Sequence, residues 1–289
     1  MILSRKMRAY SGTSLDFEFL TYDSKQQLPA AASAIEGGIS VQREAYWSYC
    51  GSVLSTDPDD FPASLYEWQT ATLSGSILPI LSPLLNFVND FISERGLDNY
   101  WITLRATTAT YEYDKTRWHT DDMFFSAGSG GLLSRVSATN KRHLDLQTDW
   151  KICATLLGPS TLFIPSRHQP HARKIQFAAK KKNSKDHLCT SIRCAGCATA
   201  ADAVRDDLAA NLSVFGSEQA KKGECAVFRI GQESGAVHSE PQMSCGGRIF
   251  VNIVPGKREE LCSLVSKWGM DFPRSWWISP SVSHLSTKP

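Results

Sequence analysis

Net charge is almost absent from this chain. Its 31 Lys and Arg residues against 29 Asp and Glu leave a formal charge of +2 over 289 residues. That is too little to point to nucleic acid or to an anionic membrane surface. No basic stripe interleaved with aromatics appears either, which argues against a nucleic-acid or extended protein substrate. Long apolar runs are missing too. The most apolar stretch, 77–88, contains Pro79 and Pro83 and is too short to span a bilayer. Met1-Ile2-Leu3-Ser4-Arg5-Lys6 lacks the apolar core of a signal peptide. The eight cysteines are scattered, so the expectation is reduced thiols in a cytoplasmic protein. No internal repeat is visible. What remains, 42% hydrophobic and 21% charged residues, is ordinary for a soluble globular chain long enough to bury a core.

The chain divides by texture. A strand is expected at 15–22, weak helices at 30–35 and 41–47, and a turn at 57–62 leading into helical sequence at 63–70. Apolar residues at Ile77, Ile80, Leu81, Leu84, Leu85, Val88 and Ile92 predict an amphipathic helix within 74–95, capped by Gly96. From residue 100 the character becomes β. Strands are expected at 101–113, 150–157, 161–165, 223–230 and 248–254, with Pro255-Gly256 ending the last. A closing helix is expected at 257–268, and Trp276-Trp277 is left unassigned. Residues 126–131 read as a flexible Gly/Ser loop suited to a lid.

Residues 167–222 interrupt the pattern as an insertion, with a lysine run at Lys180-Lys181-Lys182 read as a solvated loop and a helix near 199–212. Cys194-x-x-Cys197 has the spacing of a zinc or redox pair, but only His187 stands near as a further ligand. Short strands joined by turns argue for an antiparallel sandwich or barrel core over 100–289. A helical and mixed region, 1–99, packs on it.

Within the β half, a strand-like run over 111–118 ends at Arg117-Trp118-His119-Thr120-Asp121, which carries a histidine and a carboxylate two residues apart. In a strand these share one face, so His119 and Asp121 reach one metal while Trp118 and Thr120 point away. The chain holds three such pairs, and chance alone gives roughly one. Context selects among them. His143/Asp145 follows the Gly/Ser-rich loop beside Lys141-Arg142 and reads as solvated. His238/Glu240 lies too late in the chain to begin a site, but His238 is well placed to finish one. Two histidines and one carboxylate on one side of a metal, with positions left open, form the ligand set of non-haem Fe(II) oxygenases. Arg248 follows His238 by ten residues, and Arg248, Phe250 and Asn252 share a strand face opposite Ile249, Val251 and Ile253.

These residues resemble the motif of the Fe(II)/2-oxoglutarate-dependent dioxygenase superfamily: His-x-Asp, a distant His, then Arg about ten residues later. The resemblance runs from about 101 to 255. It implies a mainly β fold with flanking helices around a double-stranded β-helix, or cupin-like jelly-roll, core. It also implies Fe(II) held by His119, Asp121 and His238, 2-oxoglutarate as cosubstrate, and O2 at the remaining position. Arg248 takes the position of the arginine that binds the distal carboxylate of 2-oxoglutarate, with Thr155 as its helper, and a planar guanidinium suits that task.

The sequence departs from the family at two points. Phe250 stands where plant-type members carry serine. Val254-Pro255 stands where the nucleic-acid demethylase branch carries a second arginine, which argues against repair of alkylated bases. Strand parity offers Arg105, Tyr111, Tyr113, Arg117, Phe125 and Arg229 as pocket residues. They suit a carboxylate-bearing small molecule such as an amino acid or a natural-product intermediate. The competing expectations are a cupin-like metalloenzyme that does not use 2-oxoglutarate and a non-catalytic ligand-binding jelly roll.

Overall fold

The computed structural model describes residues 16–23, 38–125, 150–183 and 194–279. In chain order these form β1 (Phe17–Thr21), β2 (Ser40–Val41), β3 (Ala45–Ser52), α1 (Ala63–Thr72), β4 (Leu73–Ser74), α2 (Leu78–Ser93) and β5 (Asn99–Thr107). Then come β6 (Trp150–Leu157), β7 (Leu162–Phe163), α3 (Gln169–Asn183), α4 (Ala195–Leu212), β8 (Glu218–Gln219) and β9 (Glu224–Arg229). The chain closes with β10 (His238–Ser239), β11 (Arg248–Gly256), α5 (Arg258–Ser266) and β12 (Arg274–Ile278).

The architecture is mainly β with a few helices. One antiparallel sheet runs β1-β9-β6-β11-β5-β3-β12, a second runs β10-β7-β8, and β2 pairs with β4. Among the described residues no barrel closes, and β1 and β12 stand at the edges of the large sheet.

Alternation along the strands creates its two faces. Ile102, Leu104 and Ala106 of β5 lie opposite Ile253, Val251 and Ile249 of β11 in register, and all six are buried. They pack with Leu81, Leu84, Leu85 and Val88 of α2 into the main core. The amphipathic spacing of α2 therefore does what it predicts. Its end turns through Gly96 at φ 70°, with the Leu97 amide returning to the Ile92 carbonyl at 3.1 Å.

The opposite face carries Arg105, Lys151, Cys153, Phe228 and Phe250, and the small sheet covers part of it. Phe163 of β7 stacks on Phe17 at 4.7 Å and meets Phe228 edge-on at 5.2 Å. A second, aromatic-rich core thus lies between the sheets.

Three expectations fail here. Residues 41–47 are not helix: Val41 ends β2 and Ala45 opens β3, which is claimed by pairing on both sides, to β5 and to β12. Trp276-Trp277 is that edge strand, β12. Residues 111–118 turn and coil rather than extend, and β5 ends at Thr107. The lysine run is helical, forming the last turn of α3. The expected helix at 30–35, the Gly/Ser loop, His143/Asp145 and His187 lie outside the described residues.

Candidate metal centre

His119 and His238 face one another across a single antiparallel bridge, each main-chain N–H donating to the other's carbonyl at 2.9 Å. This bridge does the work assigned to a strand, placing the rings with centroids 4.4 Å apart. Each ring is then fixed by the carbonyl two residues upstream. His119 Nδ1 meets Arg117 O at 2.7 Å, and His238 Nδ1 meets Ala236 O at 2.9 Å. A carbonyl only accepts, so Nδ1 carries the proton in both rings and Nε2 keeps its lone pair. Metal-ligating histidines usually donate their other ring nitrogen to a carbonyl in this way.

Asp121 completes the set. Its carboxylate oxygens lie 3.8 Å from His119 Nε2 and 3.6 Å from His238 Nε2. The three donor atoms sit within 4.8 Å of one another, the one such metal-donor group of three among the described residues. Among the described residues, Cys194 and Cys197 join no such group.

Electrostatics prepare the donors. Burial pushes the Asp121 carboxyl up, but the Lys151 ammonium in contact with it, with His238 and His119 adding to the pull, holds it down at about 2. Burial, reinforced by the neighbouring His119, drops His238 to about 3, so its ring is neutral at physiological pH. Asp121 is therefore a carboxylate and His238 a neutral imidazole.

The residues between the ligands point away, as strand parity predicts. Trp118 and Val237 are buried with Ile164 and Ala172 beneath α3 and α4. Gln169, fully buried at the start of α3, accepts from Val237 N at 2.7 Å and donates to Val237 O at 3.1 Å and to Ile164 O at 2.7 Å. Further along α3, Gln176 donates to the Thr120 hydroxyl at 3.3 Å. The insertion thus braces the segments on both sides of the site.

Arg248 opens β11. Its Nε donates to Pro159 O at 2.9 Å, its Nη2 donates to Thr161 Oγ1 at 3.1 Å, and its guanidinium lies 4.4 Å from the Phe250 ring centroid. Burial works against its charge. The approach is tight. Gly158 has φ 84°, and a Cβ there would stand 2.7 Å from Gly247 O and 3.2 Å from Arg248 Cα. A cavity of about 110 Å3 is lined by His119, Asp121 and His238 together with Lys151, Arg105, Arg248 and Glu240, with Phe228 and Phe250 supplying apolar wall.

The other expected residues divide. Arg105 lines this cavity and Tyr113 supports it, accepting from Arg105 Nη2 at 2.9 Å. Thr155 borders a small neighbouring cavity, and Thr161 holds the arginine instead. Tyr111 is 76% exposed. Arg117 pairs with Glu112 at 3.0 Å and stacks on Tyr113. Phe125 packs toward α5 beside Gly256 and Leu261. Arg229 ends β9 opposite Trp150. None of these last four lines the cavity.

Sequence reasoning missed Lys151, Thr161, Phe228 and Glu240. A signal existed for Lys151: it is the lone charge in an apolar strand, on the same face as Cys153. Comparisons of this chain with protein-family models, with curated proteins and with solved structures gave no match.

Proposed function

We propose that this protein is an Fe(II)- and 2-oxoglutarate-dependent oxygenase acting on a small molecule. The observation that carries the proposal is the gathering of His119, Asp121 and His238 donors within 4.8 Å of one another, in a cavity that Arg248 also lines. Cis ligands about 2.1 Å from a metal lie about 3 Å apart. The observed 3.6 and 3.8 Å close to that with small side-chain rotations. Two imidazoles and one carboxylate suit Fe(II) and leave positions open on its far side. On this proposal the two sheets that meet at Phe17, Phe163 and Phe228 are the halves of a double-stranded β-helix.

When bound, iron and 2-oxoglutarate supply oxygen activation and C–H oxidation, with succinate and CO2 as co-products. The chain's own residues prepare for them. The carbonyls of Arg117 and Ala236 hold both Nε2 lone pairs toward one point. Lys151 keeps Asp121 ionised. Arg248, with two of its donors spent on Pro159 and Thr161, has the rest to pair with the far carboxylate of the cosubstrate. Phe228 and Phe250 keep water from the space between.

The test is binding and turnover. Protein loaded with Mn(II) in place of iron should bind 2-oxoglutarate by calorimetry, and the Fe(II) form should release succinate with substrate present. His119→Ala should lose both. If the metal-loaded protein binds no 2-oxoglutarate, the proposal is wrong.

One observation favours a second reading, a metalloenzyme without 2-oxoglutarate: Arg248 is already hydrogen-bonded within the fold, as a structural arginine is. Arg248→Glu separates the two. It should abolish cosubstrate binding while leaving metal affinity intact if Arg248 is the carboxylate anchor. If instead the cosubstrate still binds, the anchor is elsewhere.

A further inference from the structure

Beyond the triad, the cavity holds two charges with no work assigned to them. Arg105 stands on β5 between Tyr46 of β3 and Phe250 of β11 in register. Its guanidinium lies 5.3 Å from the Tyr46 ring centroid and donates to the Tyr113 hydroxyl at 2.9 Å. Both orienting groups are tyrosines. Among the described residues, no carboxylate forms an ion pair with Arg105.

Glu240 comes two residues after His238, lines the same cavity, and makes no side-chain hydrogen bond or ion pair among the described residues. Its charge is felt by both Arg105 and Arg248, yet it pairs with neither. Burial alone lowers Arg105, but Tyr46, Tyr113 and Glu240 more than offset it, and the guanidinium sits above its ordinary value.

The charges of the cavity can be assigned in turn. Lys151 is matched by Asp121. Arg248 faces the position of a cosubstrate carboxylate. Arg105 and Glu240 are left: a cation and an anion sharing one cavity and held apart. Two partly desolvated opposite charges that do not neutralise one another are complementary to a ligand that carries both.

We infer that Arg105 and Glu240 form the receptor for a zwitterionic small molecule of the α-amino acid class, its carboxylate on Arg105 and its ammonium on Glu240. The inference rests on the oxygenase proposal for the reaction, but not for the binding. The guanidinium presents a planar fork to the carboxylate, and Tyr113 fixes the direction of that fork. The ammonium then lies beside the residue that follows the metal-facing histidine by two. The amino acid's side chain is left to extend toward the triad.

The experiment measures binding to Mn(II)-loaded protein, which holds the metal position without turnover. The probes are the common L-α-amino acids one at a time, each with its N-acetyl and α-amide counterpart, and 2-oxoglutarate separately. At least one free amino acid should bind, and masking either charged end should weaken it by about tenfold or more, the value of a lost charge-assisted contact. Arg105→Gln and Glu240→Gln should each weaken the amino acid to a similar degree and leave 2-oxoglutarate binding in place. Arg105→Lys, which keeps the charge, should recover part of the loss and guards against misfolding of the glutamine variant.

The inference is overturned if no free amino acid binds while 2-oxoglutarate does, or if the masked forms bind equally. It is overturned too if Arg105→Gln loses 2-oxoglutarate together with the amino acid. If an amino acid binds as described and 2-oxoglutarate does not, the subsite stands and the oxygenase proposal falls.

Discussion

Lys151 decides the electrostatic state of the site at the residue scale. Its side chain is 10% exposed and that of Asp121 is 19%, so their contact is a buried pair. Removing one partner of such a pair leaves an uncompensated charge, which costs on the order of 3–5 kcal/mol. A divalent cation supplies what the ammonium supplied, and more. Lys151→Met should therefore lower the melting temperature of metal-free protein sharply. Saturating Mn(II) should raise it by more than the same addition raises wild type. An unchanged or smaller metal-induced rise would mean that Lys151 and the metal do not share Asp121. The grouping of His119, Asp121 and His238 was legible because i, i+2 spacing and the later histidine are local facts of sequence. Lys151 and Glu240 were not, since their meaning depends on which face of which strand they join, and a lysine in sequence reads first as solvated.

Elements outside the sheet carry part of the precision of the site. The segment bearing His238 is short, two residues of strand, and cannot hold its own register. Gln169 holds it, through three hydrogen bonds to the main chain of Val237 and Ile164. Gln169→Leu keeps approximate volume and strands two buried backbone groups, Val237 N–H and Ile164 C=O, each worth about 1–3 kcal/mol when left unsatisfied, while Val237 O keeps the Ile164 N–H at 3.1 Å. The variant should lose at least about 2 kcal/mol in urea unfolding, and its metal affinity should fall although Gln169 touches no ligand. Wild-type metal affinity in a folded Gln169→Leu protein would show that His238 is positioned by β7 and the bridge to His119 alone. This bracing was hidden in sequence, where 167–222 reads as an interruption between strands. The expected strand at 111–118 failed for the complementary reason. Thr and Tyr favour pleated surfaces, but no partner edge is offered there, and one bridge at His119 suffices.

For the whole molecule, the question is whether the region before residue 100 merely supports the β core or completes it. It supplies β1 and β3 of the seven-stranded sheet, and α1 and α2 pack on one face of that sheet. Without it, Ile102, Leu104, Ile152, Ile249, Val251 and Ile253, all fully buried, would meet water. Each such side chain is worth about 1.5–3 kcal/mol on burial. Their sum matches or exceeds the net stability of an ordinary domain, about 5–15 kcal/mol. A fragment of residues 100–289 should therefore fail to fold, giving no cooperative melt by circular dichroism and no metal binding. The texture change near residue 100, plain in the sequence, marks a change of secondary structure and not a boundary between units.

A milder variant separates scaffold from site. Leu84 is fully buried in α2, on the sheet face opposite the cavity. Leu84→Ala should cost about 2–5 kcal/mol of stability, yet leave metal affinity unchanged wherever the protein remains folded, because the cavity-facing side chains keep their register. A fragment that binds metal as wild type does, or a folded Leu84→Ala protein with weakened metal binding, would contradict this division of labour between the two faces.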